Sequence, residues 1–411
     1  MLAGLAFFTV VVAVTYGSLL LKHAQIITHD TDLDFSYDFV IVGGGTSGLT
    51  VADRLTENSE ISVLVIEYGY LYPNESDILV PGLLNPTPYQ FNITSTPQRG
   101  LDNATFAVPA AAVVGGGTAI NGMFFDRGSA PDYDAWVELG NPGWGWSDLL
   151  PYFKKSETFT PASANLAEEF TISWDDTAHG FDGPVKSSYP VFQFQSISRS
   201  TLNPFHNTLQ AFTQGPDTPP ENFISAWHSL GIQTPQDPSS GTAKGVFWGP
   251  SSLNPSNETR SDAQTAHYSA VAGSRRNYHL LTGNAVSKIN FVGQKATGVG
   301  VRLTPIFKVA PSDSDEQWLN REAFEYGYVN AKKEVILAAG AAHTPQILQL
   351  SGVGPKGLLH NLEIPVVVDL PGVGQNFQDQ PTLYASYNCG LLCTRKNSGS
   401  TKYPLADRLS A

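Results

Sequence analysis

The stretch Tyr37-Asp38-Phe39-Val40-Ile41-Val42-Gly43-Gly44-Gly45-Thr46-Ser47-Gly48 decides the fold of this 411-residue chain. Its apolar first half is typical of a buried parallel strand. Its second half is a glycine-rich loop of the form G-x-G-x-x-G. Such a loop between a strand and a helix is the turn of a dinucleotide-binding βαβ unit.

The residues after the loop complete that unit. Apolar residues at helical spacing predict a helix over residues 48–58, and the apolar run at residues 61–66 predicts a second strand. Glu67 ends this strand, where its carboxylate can accept hydrogen bonds from the hydroxyl groups of a ribose. Strand, loop, helix and strand therefore fit within the roughly 30 residues of a βαβ unit.

Each glycine of the loop has its own physical role. Gly43 permits the tight turn, Gly45 lets the backbone approach a pyrophosphate, and Gly48 lets the helix pack closely on the strand. The N-terminus of the helix that follows faces the phosphates with free N–H groups and a positive dipole end. The loop alone fits NAD and FAD, so the choice of cofactor depends on the rest of the chain.

The composition is that of a folded protein with many turns. Hydrophobic residues make up 41% of the chain and aromatic residues 11%, which argues against disorder, and 38 Gly with 28 Pro indicate long connections. The length favours two domains or one large domain with insertions. The formal net charge is −13, and no basic surface that could bind phosphates is indicated, so no nucleic-acid partner is expected.

The two cysteines of the chain, Cys389 and Cys393, lie near its C-terminus. Their C-x3-C spacing has no second pair and no histidine at ligand distance, so no metal site is predicted. A small disulfide loop and two free thiols both remain open.

The N-terminal segment indicates the secretory route. Residues 1–24 are mostly apolar and predict a signal peptide, with a signal anchor as the alternative because about 20 apolar residues can span a bilayer. Unless the segment is kept as an anchor, no stable membrane partner is expected. Four N-x-S/T sequons also favour a secreted or secretory-pathway glycoprotein. Their asparagines are Asn74, Asn92, Asn103 and Asn257.

A second glycine loop, Val-Val-Gly-Gly-Gly-Thr-Ala-Ile-Asn-Gly at residues 113–122, resembles a known flavin-contacting segment. Further matches follow in the same family's order. They are Gly-Trp-Gly-Trp at residues 143–146, Arg260-Ser261, the G-A-A-H-T-P-Q-I-L-Q-L-S-G-V-G segment at residues 340–354 and L-P-G-V-G-Q-N-F-Q-D-Q at residues 370–380. With these motifs, spread over about residues 37–385, the chain is identified as a member of the glucose–methanol–choline (GMC) oxidoreductase family.

The resemblance implies an α/β FAD-binding domain within a protein whose overall fold class is α+β. It implies a Rossmann-like FAD-binding domain with an inserted substrate domain, GMC-type, and by this resemblance the domain is expected to be truncated at the C-terminus. The FAD-binding domain is expected to be discontinuous, from residues 37–155 and 258–375. Residues 156–257 and 376–411 are expected to be incomplete portions of the substrate domain.

The resemblance also implies FAD as the cofactor and a small-molecule alcohol as the substrate, which is oxidised to a carbonyl. The residues expected at the pyrophosphate and the adenosine ribose are Gly43, Gly45, Thr46, Ser47, Gly48 and Glu67. Those expected near the flavin are Gly117, Thr118, Asn121 and Gly122, and Val286 is expected to contact the adenine side through its backbone. Backbone N–H groups and the Asn121 amide could stabilise negative charge on the reduced ring.

The family's catalytic base is a histidine in a His-Pro-x-Gly-Thr-type segment near the C-terminus. None of the nine histidines lies in such a motif, so no catalytic residue is predicted and the family histidine is expected beyond Ala411. His343 falls in the family's second signature, on a predicted turn. Because hydride leaves an alcohol carbon readily only when the hydroxyl proton is removed, these 411 residues alone are expected to oxidise alcohols poorly.

The segment around residues 172–190 resembles a fungal branch of the family. That branch holds aryl-alcohol oxidases and versicolorin B synthase-like cyclases. The leading hypothesis is therefore an FAD-dependent alcohol oxidoreductase of fungal secondary metabolism. A non-redox cyclase of the same fold and an inactive truncated flavoprotein are the alternatives.

Overall fold

The structure is a computed structural model that describes residues 25–27, 34, 36–72, 76–81, 87–190, 220–303 and 326–378. Its main-sheet strands are β1 (Gln25–Ile27), β2 (Ser36–Val42), β3 (Val63–Ile66), β8 (Tyr278–Leu281), β9 (Asn284–Val292), β10 (Lys295–Leu303) and β11 (Tyr326–Leu337). Shorter strands form three separate pairs. These are β4 (Glu157–Thr160) with β5 (Val185–Ser188), β6 (Leu253–Asn254) with β7 (Thr259–Arg260), and β12 (Val353–Gly354) with β13 (Val368–Asp369).

The seven-stranded sheet has the strand order β1-β8-β3-β2-β11-β10-β9. The first five strands are parallel, and β10 and β9 add an antiparallel edge. In the central register Val40 lies opposite Leu64 on one side and Val335 on the other. The predicted α/β fold with a parallel sheet is confirmed.

The alternation of side chains along β2 divides the core into two halves. Val40 and Val42 face one side of the sheet, where they belong to a buried cluster with Ile347. Ile41 faces the other side, where Leu49 belongs to the second buried cluster. All of these side chains are at most 7% exposed. Both faces of the β2 strand are therefore covered, as its continuous apolar run predicts.

The helices lie around the sheet and in the connections between strands. They are α1 (Thr46–Leu55), α2 (Ser76–Leu79), α3 (Gly117–Ile120), α4 (Ala130–Glu138), α5 (Trp146–Ser156), α6 (Ala164–Phe170), α7 (Pro220–Ser229), a π-helix (Gln264–Ser269), α8 (Ala270–Ala272), α9 (Gly340–Leu350) and α10 (Lys356–Asn361). Helix α1 and the π-helix pack together on one face of the sheet, and α9 packs against β9 on the other.

Several element boundaries differ from the prediction. Helix α1 begins at Thr46 rather than residue 48, because the loop turn is complete at Gly45. Strand β11 is 12 residues long, from Tyr326 to Leu337. Gly340 has φ +79° and starts helix α9 directly, so His343 lies in the first turn of a helix and the predicted turn at His343 was wrong.

The connection at residues 87–111 is an antiparallel arm. Isolated bridges join Gln90 to Ala111, Thr94 to Ala107 and Gln98 to Ala104. The arm returns the chain to Val113, which pairs with Tyr70 beside the main sheet. It therefore delivers the second glycine loop to the carboxyl ends of the parallel strands.

Some predictions fall outside the described residues. These are the signal peptide at residues 1–24, the sequon at Asn74, the two cysteines and most of residues 376–411. The division into two discontinuous domains stays a prediction. Within the described ranges, every helix falls short of the length and apolar content needed to cross a bilayer.

Candidate functional site

The first glycine loop lies at the carboxyl ends of the central strands. Gly43 donates its N–H to the Ile66 carbonyl at 2.8 Å, and Ala338 donates to the Val42 carbonyl at 2.7 Å, so β3 and β11 flank the loop. Gly43 has φ +104°, and a Cβ there would collide with the Ala338 carbonyl. Glycine is therefore required where the chain leaves β2.

The other two glycines have the different surroundings that the motif predicts. A Cβ at Gly48 would collide with the carbonyl of Gly43, so the backbone of α1 packs directly against the backbone of the loop. A Cβ at Gly45 would meet only the Cα of Gly116, at 3.6 Å. Gly48 thus closes the helix onto the loop, whereas Gly45 faces open space from which a ligand can approach.

The N-terminus of α1 is an open anion site. Its first intrahelical hydrogen bond runs from the Leu49 N–H to the Gly45 carbonyl, which leaves the N–H groups of Thr46, Ser47 and Gly48 ahead of the helical pattern. Gly45 provides no side-chain cap, and the first turn has no acidic residue. Free N–H groups and the positive helix end are the arrangement that binds a pyrophosphate.

The second glycine loop contacts the first. The N–H of Gly115 donates to the Gly44 carbonyl at 2.9 Å. Gly116 has φ +57°, and a Cβ there would lie 2.7 Å from the Cα of Gly45. Helix α3 begins one residue later at Gly117, where a Cβ would meet nothing within 4 Å. The two loops therefore form one continuous cradle with an open side at Gly45 and Gly117.

The polar side chains of the second loop are held by the chain behind it. The Thr118 hydroxyl donates to the Gly115 carbonyl at 2.6 Å and accepts from the Ala263 N–H at 2.9 Å. Asn121 ends α3 and is exposed, and Gly122 after it is half-buried. The Thr118 hydroxyl therefore shapes the loop, and contact of these residues with a flavin stays a prediction.

Arg260 is a site residue whose role the sequence did not reveal. In the sequence it was singled out only as part of the Arg260-Ser261 match to the family. In the structure it is 3% exposed and lies directly behind the second loop. Its Nη1 donates to the Asn121 Oδ1 at 2.8 Å. Burial lowers the pKa of Arg260 to about 10, against the attraction of Asp262. No sequence signal could indicate that a charged side chain would be buried here, because most of its partners are backbone carbonyls.

Glu67 lies between the loop and the next turn. Its Oε2 accepts the Gly44 N–H at 2.7 Å and its Oε1 accepts the Gly69 N–H at 2.8 Å. Burial raises the pKa of Glu67 to about 7, although these two hydrogen bonds act to lower it. Each carboxylate oxygen keeps a second acceptor position, so a contact with a ribose hydroxyl is compatible with this geometry and stays a prediction.

The start of β9 adjoins the Glu67 corner. The N–H of Asn284 donates to the Glu67 carbonyl at 3.0 Å. Val286 follows two residues later, half-buried, and pairs with Val301 of β10. Its predicted backbone contact with adenine stays a prediction.

A dinucleotide fits this set of residues on two observations. The cradle has an open face where a Cβ is absent at Gly45 and Gly117. Two buried side-chain oxygens beside the loops, Gln264 Oε1 and Asn284 Oδ1, also lack a hydrogen-bond partner among the described residues. Asn284 adjoins Glu67, and Gln264 lies within 3.5 Å of the Cβ position of Gly115. Buried polar atoms without partners are costly, and a polar ligand can satisfy them.

The comparison with protein families agrees with this geometry. The model of the family described as GMC oxidoreductase matches residues 37–382. The chain belongs to the GMC oxidoreductase family. Because the members of this family are FAD flavoproteins, the prediction of FAD as the cofactor is confirmed.

Several fungal members of the GMC family are similar to this chain. It is 42% identical over 362 residues to "Dehydrogenase xptC" of Emericella nidulans, which is 88% of this chain and 52% of the relative. A solved FAD-dependent oxidoreductase from Chaetomium thermophilum is 46% identical with a TM-score of 0.70, over 84% of this chain and 52% of that one. A solved fungal aryl-alcohol oxidase is 38% identical with a TM-score of 0.67, over 83% and 52%. The chain thus spans about half the length of these relatives.

Proposed function

We propose that this protein is an FAD-dependent oxidoreductase that oxidises the CH–OH group of a small-molecule alcohol to a carbonyl. One observation carries the proposal: the Gly115 N–H donates to the Gly44 carbonyl, so the two glycine loops form a single cradle. Similarity to a dehydrogenase and to an aryl-alcohol oxidase supports this class of reaction. A place in fungal secondary metabolism is part of the same proposal.

Different residues of the cradle bind different parts of the cofactor. The N–H groups that begin α1 at Thr46 and Ser47 hold the pyrophosphate over the open face of Gly45. Glu67 accepts hydrogen bonds from the adenosine ribose. Gly117 and Asn121 of the second loop line the flavin end. Bound FAD supplies the hydride acceptor, and the protein supplies binding and orientation.

The test is anaerobic mixing of the FAD-loaded protein, purified as its complete gene encodes it, with a series of primary aliphatic and aryl alcohols. Loss of the oxidised-flavin absorbance together with a stoichiometric carbonyl product is expected. Product formed without any flavin bleaching contradicts the oxidoreductase proposal and points to the cyclase of the same fold. A protein that holds FAD but reacts with none of the alcohols also contradicts it.

We further propose that the protein passes through the secretory pathway and is N-glycosylated. Three sequon asparagines support this, because Asn92, Asn103 and Asn257 are all exposed. The Asn257 Oδ1 also accepts from the Thr259 hydroxyl at 2.8 Å, within its own sequon. Expression in a eukaryotic secretory host should give a mass that falls on deglycosylation, and Asn257→Gln should remove one increment. Medium that contains only unmodified protein contradicts the proposal.

A further inference from the structure

Asn121 is a side chain whose orientation the structure determines. Its Oδ1 accepts from Arg260 Nη1 at 2.8 Å and from the Met123 N–H at 3.0 Å. Both partners can only donate, so the amide oxygen must face them and the amide nitrogen must point away. Asn121 is exposed, and within the described part of the chain its Nδ2 meets no acceptor. The loop therefore presents a free N–H donor.

Arg260 holds this arrangement from behind. Its Nε donates to the Ile78 carbonyl at 3.1 Å, and its Nη1 also donates to the carbonyls of Thr118 at 3.1 Å and Asn121 at 2.9 Å. The last two carbonyls lie at the end of α3, where the helix itself offers them no partners. One planar guanidinium thus fixes the end of α3, the backbone of Asn121 and its amide at the same time.

The donor lies in the same cradle as the phosphate loop. Helix α3 starts at Gly117, directly after the residues that touch Gly44 and Gly45. Asn121 follows the four residues of α3, a rise of about 6 Å. If a dinucleotide binds with its pyrophosphate at Gly45 and the second loop lines its flavin, then Asn121 lies on the flavin side of the pyrophosphate.

We propose that Arg260 is a positioning residue that forces Asn121 to present its amide N–H to the flavin. The flavin ring has carbonyl oxygens and ring nitrogens that accept hydrogen bonds, and it becomes more negative on reduction. A fixed donor therefore stabilises the reduced ring more than the oxidised one. This inference rests on the FAD chemistry proposed for the site and deepens it.

The decisive variant is Arg260→Lys, which keeps the buried cation but cannot donate to Ile78 and to Asn121 with one rigid fork. The reduction potential of the bound flavin is measured by chemical reduction against a reference dye. The ratio of affinities for reduced over oxidised FAD should fall about tenfold, as expected for one weakened hydrogen bond to a charged ring. That fall corresponds to about 30 mV for a two-electron couple.

A double-mutant cycle shows whether Arg260 acts through Asn121. Asn121→Ala alone should lower the potential at least as far as Arg260→Lys, and the double variant should fall no further than Asn121→Ala. An unchanged potential in Arg260→Lys, or an additional full drop in the double variant, overturns the proposal. Arg127→Lys is the matched control, because Arg127 is also a buried arginine but donates to Glu157 and lies outside the cradle contacts.

A second variant keeps the proposal testable if Arg260→Lys does not fold. Asn121→Asp leaves one oxygen for Arg260 and Met123 and presents the other, an acceptor, in the place of Nδ2. If position 121 faces the flavin as proposed, Asn121→Asp should bind FAD more weakly and have a lower potential than Asn121→Ala. Equal values for the two variants mean that the side chain at position 121 does not meet the flavin, which overturns the proposal.

The outcomes also separate this inference from the proposed function. Chemical reduction requires no alcohol, so the potentials can be compared even if every alcohol fails to react. Failure of the proposed function leaves the wild-type flavin unreactive towards alcohols. Failure of this inference leaves the wild-type flavin reactive and the Arg260→Lys potential unchanged.

Discussion

The N–H of Gly115 donates to the carbonyl of Gly44 at 2.9 Å, although 71 positions separate the two residues in the sequence. The contact places the second glycine loop against the first at the carboxyl ends of the parallel strands. This edge is where ligands bind in open α/β sheets. The cradle can close only because both loops lack side chains where Gly45 and Gly116 touch.

Gly45→Ala should separate cofactor binding from folding. The added methyl group meets only the Gly116 Cα, at 3.6 Å, so the fold is expected to tolerate it. The same methyl group occupies the surface that the pyrophosphate must approach, which should weaken FAD binding by about 1–3 kcal/mol. Fluorescence titration of the apoprotein with FAD and thermal unfolding of the same sample give the two quantities.

Two other glycines provide the controls for Gly45→Ala. Gly48→Ala puts a methyl group into the Gly43 carbonyl and should lower the stability as well as the affinity. Gly357 lies exposed in α10 with nothing within 4 Å of its Cβ position. Gly357→Ala should therefore lower neither the stability nor the affinity for FAD. Unimpaired FAD binding by Gly45→Ala contradicts the assignment of the pyrophosphate site.

Glu67 should give the apoprotein a distinct pH dependence. Burial raises its pKa from 4.5 in the unfolded chain to about 7 in the folded protein. A raised folded-state pKa means that stability is greatest below the unfolded value and is lost as the pH rises. The free energy of unfolding should therefore fall by about 3 kcal/mol between pH 4.5 and 7 relative to Glu67→Gln. Urea unfolding across this range measures the difference. The exposed Glu60→Gln should follow the wild type, and a Glu67→Gln curve parallel to the wild type would refute the assignment.

A buried cluster of charged side chains joins strand β4 to residues that lie far from it in the sequence. His179, 2% exposed, lies between Glu157 and Asp237, with Nδ1 and Nε2 each 3.0 Å from a carboxylate oxygen. Arg127 completes the cluster through a 2.6 Å contact with Glu157, and the ring of Phe159 stacks on His179 at 3.7 Å. Burial acts to lower the pKa of His179, but the two carboxylates outweigh it and the pKa is raised.

His179→Gln should therefore destabilise the fold in a pH-dependent way. Removing one partner from buried ion pairs costs about 3–5 kcal/mol. Because the folded-state pKa of His179 is raised above 6.5, its stabilisation is complete below pH 6.5 and is lost as the pH rises through the raised value. Unfolding experiments at acidic and alkaline pH should show the larger loss at acidic pH. His228→Gln, at an exposed position, should have little effect, and a loss independent of pH would count against a charged His179.

Asp53 should contribute far more to stability than Glu57, which lies two residues past the end of the same helix. It is 2% exposed, its Oδ1 lies 2.6 Å from Arg275 Nη1, and its Oδ2 lies 2.9 Å from His267 Nδ1. These contacts tie the end of α1 to the π-helix. Asp53→Asn should cost about 3 kcal/mol because it removes the buried carboxylate with which the half-buried Arg275 is paired. Glu57→Gln removes only an exposed pair with Arg54 and should cost about 0–1 kcal/mol. Equal losses in denaturant unfolding contradict this ranking.

The sequence predicted those parts of the site that depend on local rules. The strand Ser36–Val42, the turn at Gly43 and the helix after it follow from an apolar run and from glycine spacing. The paired arm at residues 87–111 was not predicted, because the pairing of its two sides joins residues that lie up to 21 positions apart (Gln90 and Ala111) and local patterns do not determine such partners. The start of α9 at Gly340 was also missed, since a positive φ at one glycine rather than the apolar pattern sets that boundary.

By itself, the sequence determined that this chain has a dinucleotide-binding unit and which residues line its turn. Those properties follow from spacing and from the absence of Cβ atoms, which neighbouring residues in the chain decide. Only the tertiary structure decided that Gly44 meets Gly115, that Arg260 is buried behind Asn121, and that Glu67 is enclosed between two backbone N–H groups. All but one of the hydrogen bonds in these contacts involve backbone groups, the exception being the Arg260 bond to the Asn121 Oδ1, and every residue has the same backbone groups. Side-chain identity therefore leaves no trace of which ones will meet.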